Sequence, residues 1–287
     1  MIRPLPLLVA VVSLVLVSAC SGGHRSRARA GAEGGAVQAG ERVSVKGSDT
    51  MVVLAQQLAE RYMQTHPGTG LEVSGGGSGT GIAALLNRTT DIADASRPLN
   101  ARERAQLPAA VETRVALDAL AVYVHHTNRL PSVTMAQLAL VFRGRITNWS
   151  ELGGEDRPIV LYSRENNSGT YAYFKEHVLG GNDFAAAAQT LPGTAAVIHA
   201  VAHDRNGIGY GGIGFGTGVR TVPVATEDGA PVAPTLENAT SGLYPLSRFL
   251  FMVTREPPTG AARAFLDWVV SPEGQAVVTP AGFYPMP

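Results

Sequence analysis

Apolar and polar positions along the chain fall into short runs typical of strands and longer periodic runs typical of helices. Residues 43–45 have a strand pattern, and the next apolar positions recur with helical spacing up to Tyr62. A second strand pattern follows at residues 71–73, and a second helix pattern at residues 82–87. Strand–loop–helix units repeated in this order predict an α/β fold.

The rest of the chain repeats this order of elements. Helix patterns lie at residues 134–142 and 261–270, and a glycine-rich strand and turn at residues 207–216. Further strand patterns lie at residues 119–124, 159–162, 219–224 and 249–253. The α/β prediction therefore extends over the whole chain after about residue 42.

The beginning of the chain has the composition of a secretory signal. Arg3 supplies a positive start, residues 5–17 are almost entirely apolar, and small residues precede Cys20. The apolar run is shorter than the roughly 20 residues that a membrane-spanning helix needs. The small-small-Cys ending resembles the lipobox of bacterial lipoproteins. We therefore predict a lipoprotein signal peptide at residues 1–20 with lipid on Cys20, followed by a flexible tether at residues 21–42.

Charge and residue content argue against several classes of function. The 23 basic and 23 acidic residues balance, whereas a nucleic-acid partner usually requires a basic face. Cys20 is the only cysteine, so a disulfide within the chain and a cysteine zinc cluster are both excluded. His199 and His203 have the spacing of a helical zinc pair without an evident third ligand, and we expect no metal.

Enzyme and cofactor motifs fail on their context. The chain has no G-x-S-x-G elbow and no G-x-x-x-x-G-K loop. Residues 207–212 match G-x-G-x-x-G, but a strand pattern follows instead of a helix. Residues 79–84 fit a looser form and open a helix, yet no acid follows at the end of a second strand. We expect neither enzymatic activity nor a cofactor.

Three predicted loops share one design, in which a strand ends, glycines and hydroxyl side chains follow, and a helix begins. Thr50, Ser78 and residues 168–170 stand at these helix starts. First-turn N–H groups are free there and carry partial positive charge, so a tetrahedral oxyanion can accept their hydrogen bonds. Arg164 adds a planar cationic fork close to the third loop. The repetition indicates an oxyanion site, although each loop alone also fits an ordinary helix cap.

Four loops lie at residues 47–50, 75–81, 91–98 and 163–170. They resemble the ligand loops of PstS-type phosphate-binding proteins of ABC transporters. The resemblance covers residues 43–285 in order. Each segment alone is weak evidence, but their ordered succession is specific. Besides the four loops, the resemblance continues at residues 146–149, 207–210, 244–248, 271–275 and 281–283.

The resemblance implies a two-lobed type II periplasmic binding protein fold with the ligand in the cleft between the lobes. One lobe is expected at residues 43–117 plus 245–287, and the other at residues 118–244, with hinge crossings between them. The implied function is high-affinity binding of inorganic phosphate in the cell envelope and delivery to an ABC-type importer. The implied partners are the permease subunits and, through Cys20, the periplasmic side of the inner or outer membrane. We expect a monomer.

The resemblance also implies the anion contacts. Thr50 and the N–H of Met51 are expected to contact the anion from the first loop, and Ser78 from the second. The loop at residues 163–170 supplies Arg164 and the start of a helix. The full expected set is Ser48, Thr50, Met51, Ser78, Ser96, Arg97, Arg164, Ser168, Gly169 and Thr170.

Position 97 departs from the family pattern. In well-known members an aspartate follows the serine of the loop that corresponds to residues 91–98, and it accepts a hydrogen bond from the proton of HPO4. Here Arg97 follows Ser96 instead. Because such a carboxylate would repel fully ionised sulfate, its absence leaves sulfate, molybdate and tungstate open as alternative ligands. We expect Arg97 on the anion or paired with a nearby acid. Asp49, Asp94 and Asp118 are candidate partners or substitute proton acceptors, or else simple caps and surface pairs.

Overall fold

The computed structural model describes residues 40–226 and 229–286. These residues belong to one compact unit. The predicted signal peptide, Cys20 and almost all of the predicted tether lie outside the described residues. Within the described part, every helix is too short or too polar to cross a lipid bilayer.

Most strands join one mixed sheet. Its order is β2-β1-β3-β11-β4-β8-β6-β7, with β9 also paired to β4, and β5 and β10 form a separate pair. The strands are β1 (Glu41–Gly47), β2 (Thr69–Ser74), β3 (Ile92–Ala95), β4 (Val111–His125), β5 (Val133–Thr134), β6 (Val160–Arg164), β7 (Gln189–Leu191), β8 (Gly207–Gly212), β9 (Val219–Val222), β10 (Val224–Ala225) and β11 (Ser247–Thr254).

Helices connect these strands, and most helix starts have a hydrogen-bonded cap. Asn100 and Thr134 form capping boxes with the residue three positions later. Short 3-10 helices occupy Trp149–Leu152 and Ile213–Phe215. The α-helices are α1 (Val52–Thr65), α2 (Ser78–Leu86), α3 (Ala101–Gln106), α4 (Met135–Phe142), α5 (Gly169–His177), α6 (Gly193–His203), α7 (Leu236–Thr240), α8 (Gly260–Val269) and α9 (Pro272–Gln275).

Two large hydrophobic cores lie along the sheet. The first core packs α1 and α8 against the sheet through residues such as Leu54, Met252 and Phe265. The second core packs α4 and α5 through residues such as Phe142 and Phe174. Two cores are what a two-lobed protein requires. The lobe boundaries at 43–117 plus 245–287 and at 118–244 stay a prediction.

Strand β4 belongs to both cores. Its first part pairs antiparallel with β11, and its second part pairs with β8 and β9. Val115 contributes to the first core, whereas Leu120 and Val122 contribute to the second. The sequence predicts only residues 119–124 of this strand, because the preceding residues mix polar and apolar side chains.

Several elements differ from the sequence-based expectations. The apolar pattern of α2 begins at residue 82, whereas the helix itself begins at Ser78, because the glycine-rich segment enters the helix. Helix α6 was absent from the prediction, although Gly193 and Thr194 repeat the loop design described above. Val53, an apolar residue within the predicted first helix, is 43% exposed. The apolar positions of α1 that do meet the core are Leu54, Ala55, Leu58, Ala59 and Tyr62.

Candidate anion-binding site

Three threonine hydroxyls meet between the two cores. Thr50 lies before α1, whereas Thr170 and Thr194 lie in the first turns of α5 and α6. Thr50 Oγ1 is 2.9 Å from Thr170 Oγ1 and 3.4 Å from Thr194 Oγ1. All three side chains are buried. Because a hydroxyl can both donate and accept, this group can bind an oxyanion in more than one protonation state.

Two serines and a glycine form a second group beside the threonines. The Ser96 N–H donates to Ser78 Oγ at 3.1 Å, and the two hydroxyl oxygens are 3.3 Å apart. A Cβ on Gly169 would lie 2.6 Å from Ser96 Oγ and even nearer to Ser78 Oγ. The start of α5 therefore lies directly against these serines, where an added methyl group has no space.

Helix starts supply further donors. Helix α5 begins after Ser168, whose Oγ accepts a hydrogen bond from the Tyr171 N–H at 3.3 Å. Helix α1 begins after Met51, whose N–H donates to the Ser48 carbonyl at 3.0 Å. The expected contact between the Met51 N–H and an anion therefore stays a prediction. Ser48 itself is buried, and its N–H donates to the Asp94 carbonyl at 2.9 Å, which fixes the first loop against β3.

Arg164 brings the positive charge to this region. It is the last residue of β6, and its side chain is 1% exposed. Nη1 donates to Thr194 Oγ1 at 2.6 Å, and Nη2 donates to Asp49 Oδ2 at 3.1 Å. Burial lowers the pKa of the Arg164 guanidinium, and the negative charge of Asp49 opposes this effect. Because arginine stays protonated in proteins, the group is a buried cation among hydroxyls.

The three candidate aspartates have different surroundings. Asp49 bridges Arg164 and the N–H of Gly76, which donates to Asp49 Oδ1 at 2.8 Å. Asp118 is fully buried and pairs with Arg248 instead. Burial raises the pKa of Asp94 to about 7, and its Oδ1 has no hydrogen-bond partner among the described residues. Asp49 is thus the only one of the three that contacts Arg164 within the described part of the chain.

Arg97 is paired with an acid, but not with any of the three aspartates. Its Nη1 and Nη2 each donate to Glu103 at 2.7 Å. Glu103 is fixed because it also accepts the Asn100 N–H at 2.8 Å as part of the α3 cap. Burial acts to raise the pKa of Glu103, but the bonds from Arg97 and Asn100 leave it below its ordinary value. The structure does not bring Arg97 to the threonine hydroxyls, and its contact with an anion stays a prediction.

Comparison with known proteins identifies the family. Residues 31–273 match the family model described as a PBP superfamily domain. The phosphate-binding protein PstS of Pseudomonas aeruginosa is 36% identical over 270 residues, which cover 85% of this chain and 83% of that protein. This chain belongs to the PstS family of periplasmic binding proteins. PstS of Bacillus subtilis is 28% identical over 98% of this chain and 93% of its own length.

Solved structures agree with membership of the PstS family. A crystal structure from Clostridium perfringens with bound phosphate is 30% identical, with a TM-score of 0.79, and covers 86% of this chain and 100% of that one. An ABC-type phosphate transport receptor from Vibrio cholerae is 28% identical, with a TM-score of 0.72, and covers 85% and 100%. These likenesses confirm the predicted type II periplasmic binding protein fold.

Sequence reasoning about this PstS-family chain missed three residues of the site. Thr194 accepts from Arg164, and its Gly-Thr helix start was the available signal. Asn167 holds two loops together, since its Nδ2 donates to the Gly76 carbonyl at 3.0 Å and its own carbonyl accepts the Gly79 N–H at 2.9 Å. Arg248 lay within a resembling segment, and the available signal was Asp118, a charged residue directly before the apolar run at residues 119–124.

Replacing Gly169 with alanine is expected to weaken anion binding. The new methyl group would press on Ser78 and Ser96 when the loops are together. Overpacking of this kind costs about 1–3 kcal/mol, which corresponds to a loss of affinity of about 5- to 150-fold. Isothermal titration with phosphate measures the effect. Gly70→Ala is the matched control, because a Cβ there meets only a side-chain carbon at 3.5 Å, and equal affinities of the two variants would contradict the prediction.

Proposed function

We propose that this chain binds inorganic phosphate in the cell envelope and delivers it to an ABC-type phosphate importer. The observation that carries the proposal is the buried Arg164, which lies among hydroxyls from separate helix starts. A buried charge requires a partner, and Asp49, with a side chain that is 22% exposed, is its one carboxylate partner in the described part of the chain. The names of the Pseudomonas aeruginosa and Bacillus subtilis relatives support phosphate as the ligand.

The hydroxyl groups suit a ligand that carries a proton. Phosphate near neutral pH presents both acceptor oxygens and a P–OH donor. Thr50, Thr170 and Thr194 can each turn to meet either kind of atom. Thr50 precedes α1, which packs in the first core, whereas Thr170 lies at the start of α5, which packs in the second core. An anion that contacts all three threonines therefore stabilises the conformation in which their loops lie close together.

The proposal includes the location and state of the protein. We propose that residues 1–20 direct export, that Cys20 carries the lipid anchor, and that residues 21–42 tether the folded part to the membrane. The protein acts as a monomer and performs no catalysis. Mass spectrometry of the mature protein from membranes measures the anchor directly, because an acylated cysteine adds the mass of its fatty acids at the new N-terminus.

Calorimetric titration of the soluble chain from residue 21 tests the ligand. The protein is first unfolded and refolded to remove carried-over anion, then titrated with phosphate, sulfate and molybdate. We expect tight one-to-one binding of phosphate and much weaker binding of the other two. Tighter binding of sulfate or molybdate would identify that anion as the ligand in place of phosphate. Binding of none of the three anions would overturn the proposal.

A further inference from the structure

We propose that Arg248 is a second arginine of the anion site and that Asp118 is its built-in counter-charge. The inference rests on the proposed oxyanion function and names a further residue that sets which anions are accepted. Arg248 lies on β11, directly opposite Asp118 on β4. The hydrogen bond from Arg248 to Thr170 places the pair next to the threonine hydroxyls.

The contacts of Arg248 connect it to the threonine group. Its Nη2 donates to Thr170 Oγ1 at 3.0 Å, and Thr170 in turn lies 2.9 Å from Thr50. From Thr50 the hydrogen bonds continue through Thr194 to Arg164. The three hydroxyls therefore have a guanidinium at each end, and an anion bound among them lies between two cations.

One N–H group of Arg248 is left over. Nε and Nη2 both donate to Asp118 Oδ2, at 3.0 and 2.8 Å, whereas Nη1 is buried without a hydrogen-bond partner among residues 40–226 and 229–286. A buried donor on a charged group is costly to leave unpaired. Arg248 thus retains an unused donor on the same guanidinium that contacts Thr170, as a ligand for an incoming oxyanion requires.

Asp118 is held in a way that suits a counter-charge. Its side chain is fully buried, and its Oδ1 accepts the Ile213 N–H at 3.1 Å. Both of its oxygens are therefore occupied by donors from the protein. A carboxylate fixed in this way balances one positive charge of Arg248 and reduces the attraction of the site for ions with a full double charge.

The two arginines also affect one another. Burial is the largest cause of the lowered pKa of Arg164, and the positive charge of Arg248 lowers it further, against the opposing effect of Asp49. Like charges at this range repel, and an anion placed between them removes the repulsion. The Arg248–Asp118 pair acting only as a link between β4 and β11 would explain neither the bond to Thr170 nor the unpaired Nη1.

Neutralising the pair tests the inference. The double variant Arg248→Gln/Asp118→Asn removes both charges and keeps hydrogen-bonding groups, so the fold is retained. We expect its phosphate affinity to fall by about 10- to 150-fold, the loss of one charge-assisted hydrogen bond. Arg248→Lys keeps the charge without the fork and is expected to give an intermediate affinity. Titration calorimetry with phosphate measures all three proteins.

The single variant Asp118→Asn gives a result that a structural link cannot. Removing the counter-charge leaves Arg248 cationic, so sulfate affinity is expected to rise by about tenfold relative to the unaltered chain. If the pair only joined two strands, Asp118→Asn would lower the affinity for phosphate and for sulfate alike. That outcome overturns the inference. Thermal unfolding without ligand and with sulfate gives a second measurement, since sulfate should stabilise this variant more than the unaltered chain.

Arg114→Gln is the matched control. Arg114 also lies on β4 opposite β11, and its guanidinium lies over the Phe249 ring at 4.3 Å, outside the threonine network. The Arg114→Gln variant is expected to bind phosphate with an affinity within about twofold of that of the unaltered chain. If the unaltered chain binds no oxyanion, the proposed function falls and this inference with it. If it binds phosphate tightly and the double variant binds equally well, this inference alone is overturned.

Discussion

Replacing Arg164 with glutamine is expected to remove tight phosphate binding while the chain remains folded. The substitution removes the buried positive charge that lies beside Thr194. Two charge-assisted hydrogen bonds to an anion are worth about 3–6 kcal/mol together, which corresponds to a loss of about 10²- to 10⁴-fold in affinity. Isothermal titration with phosphate, from the soluble chain beginning at residue 21, measures the change.

Two further variants separate loss of charge from loss of structure. Arg164→Gln leaves Asp49 without its cation, so the double variant Arg164→Gln/Asp49→Asn removes that unbalanced charge as well. Arg157→Gln removes an arginine that pairs with Glu155 outside the threonine network, and it should keep the original affinity. Phosphate affinity within tenfold of the original in both Arg164 variants, with a normal unfolding transition, would contradict the assignment of Arg164 to the anion.

Replacing Asp94 with asparagine is expected to stabilise the protein strongly above neutral pH. Burial raises the pKa of Asp94 from its ordinary 3.8 to about 7. The unfolded chain ionises this carboxyl near pH 4, whereas the folded chain keeps it neutral up to about pH 7. The free energy of unfolding therefore falls as pH rises through this window and is then constant. At about 1.4 kcal/mol per pKa unit, the ionised Asp94 carboxylate lowers the free energy of unfolding by about 4 kcal/mol above about pH 7.

The free energy of unfolding gained by the Asp94→Asn variant is expected to grow over the same pH range. We expect about 1 kcal/mol at pH 4.5 and about 4 kcal/mol at pH 8, measured by urea unfolding monitored through circular dichroism. Asp267→Asn on the surface is the control and should change stability by less than about 0.5 kcal/mol at either pH. A gain of equal size at both pH values would mean that the Asp94 carboxyl is not kept neutral in the folded chain.

Much of the fold is readable from the sequence because local patterns agree with it. The helix at Val52–Thr65 and the strand at Glu41–Gly47 have clear apolar spacing. Strand β4 was harder to predict because its first part is polar on one face and is held by pairing with β11, more than a hundred residues later. Pairing between distant segments leaves no local pattern, so only residues 119–124 of this 15-residue strand were predicted.

The site was predicted in part for a similar reason. Thr50, Ser78 and Thr170 stand at helix starts, and glycine-rich loops mark such starts in the sequence. Arg97 was expected on the anion or paired with a nearby acid. The acid is Glu103, which was not among the candidates because its role as a helix cap is set by Asn100. Arg248 was missed as a site residue because its place beside Thr170 follows from the sheet order alone.

The place of β11 in the sheet also determines when the chain can fold. It is the last strand to be synthesised, yet it lies between β3 and β4 and pairs Ser247 with Ala119 and Thr254 with Ile92. The first core therefore stays incomplete until at least residue 283 has been synthesised, because Phe265 and Phe283 belong to it as well. Since β11 lies in the interior of the sheet, the pairing of β3 and β4 with it cannot form before β11 has been synthesised. Late completion of the fold is compatible with the proposed export, which requires a chain that is still unfolded.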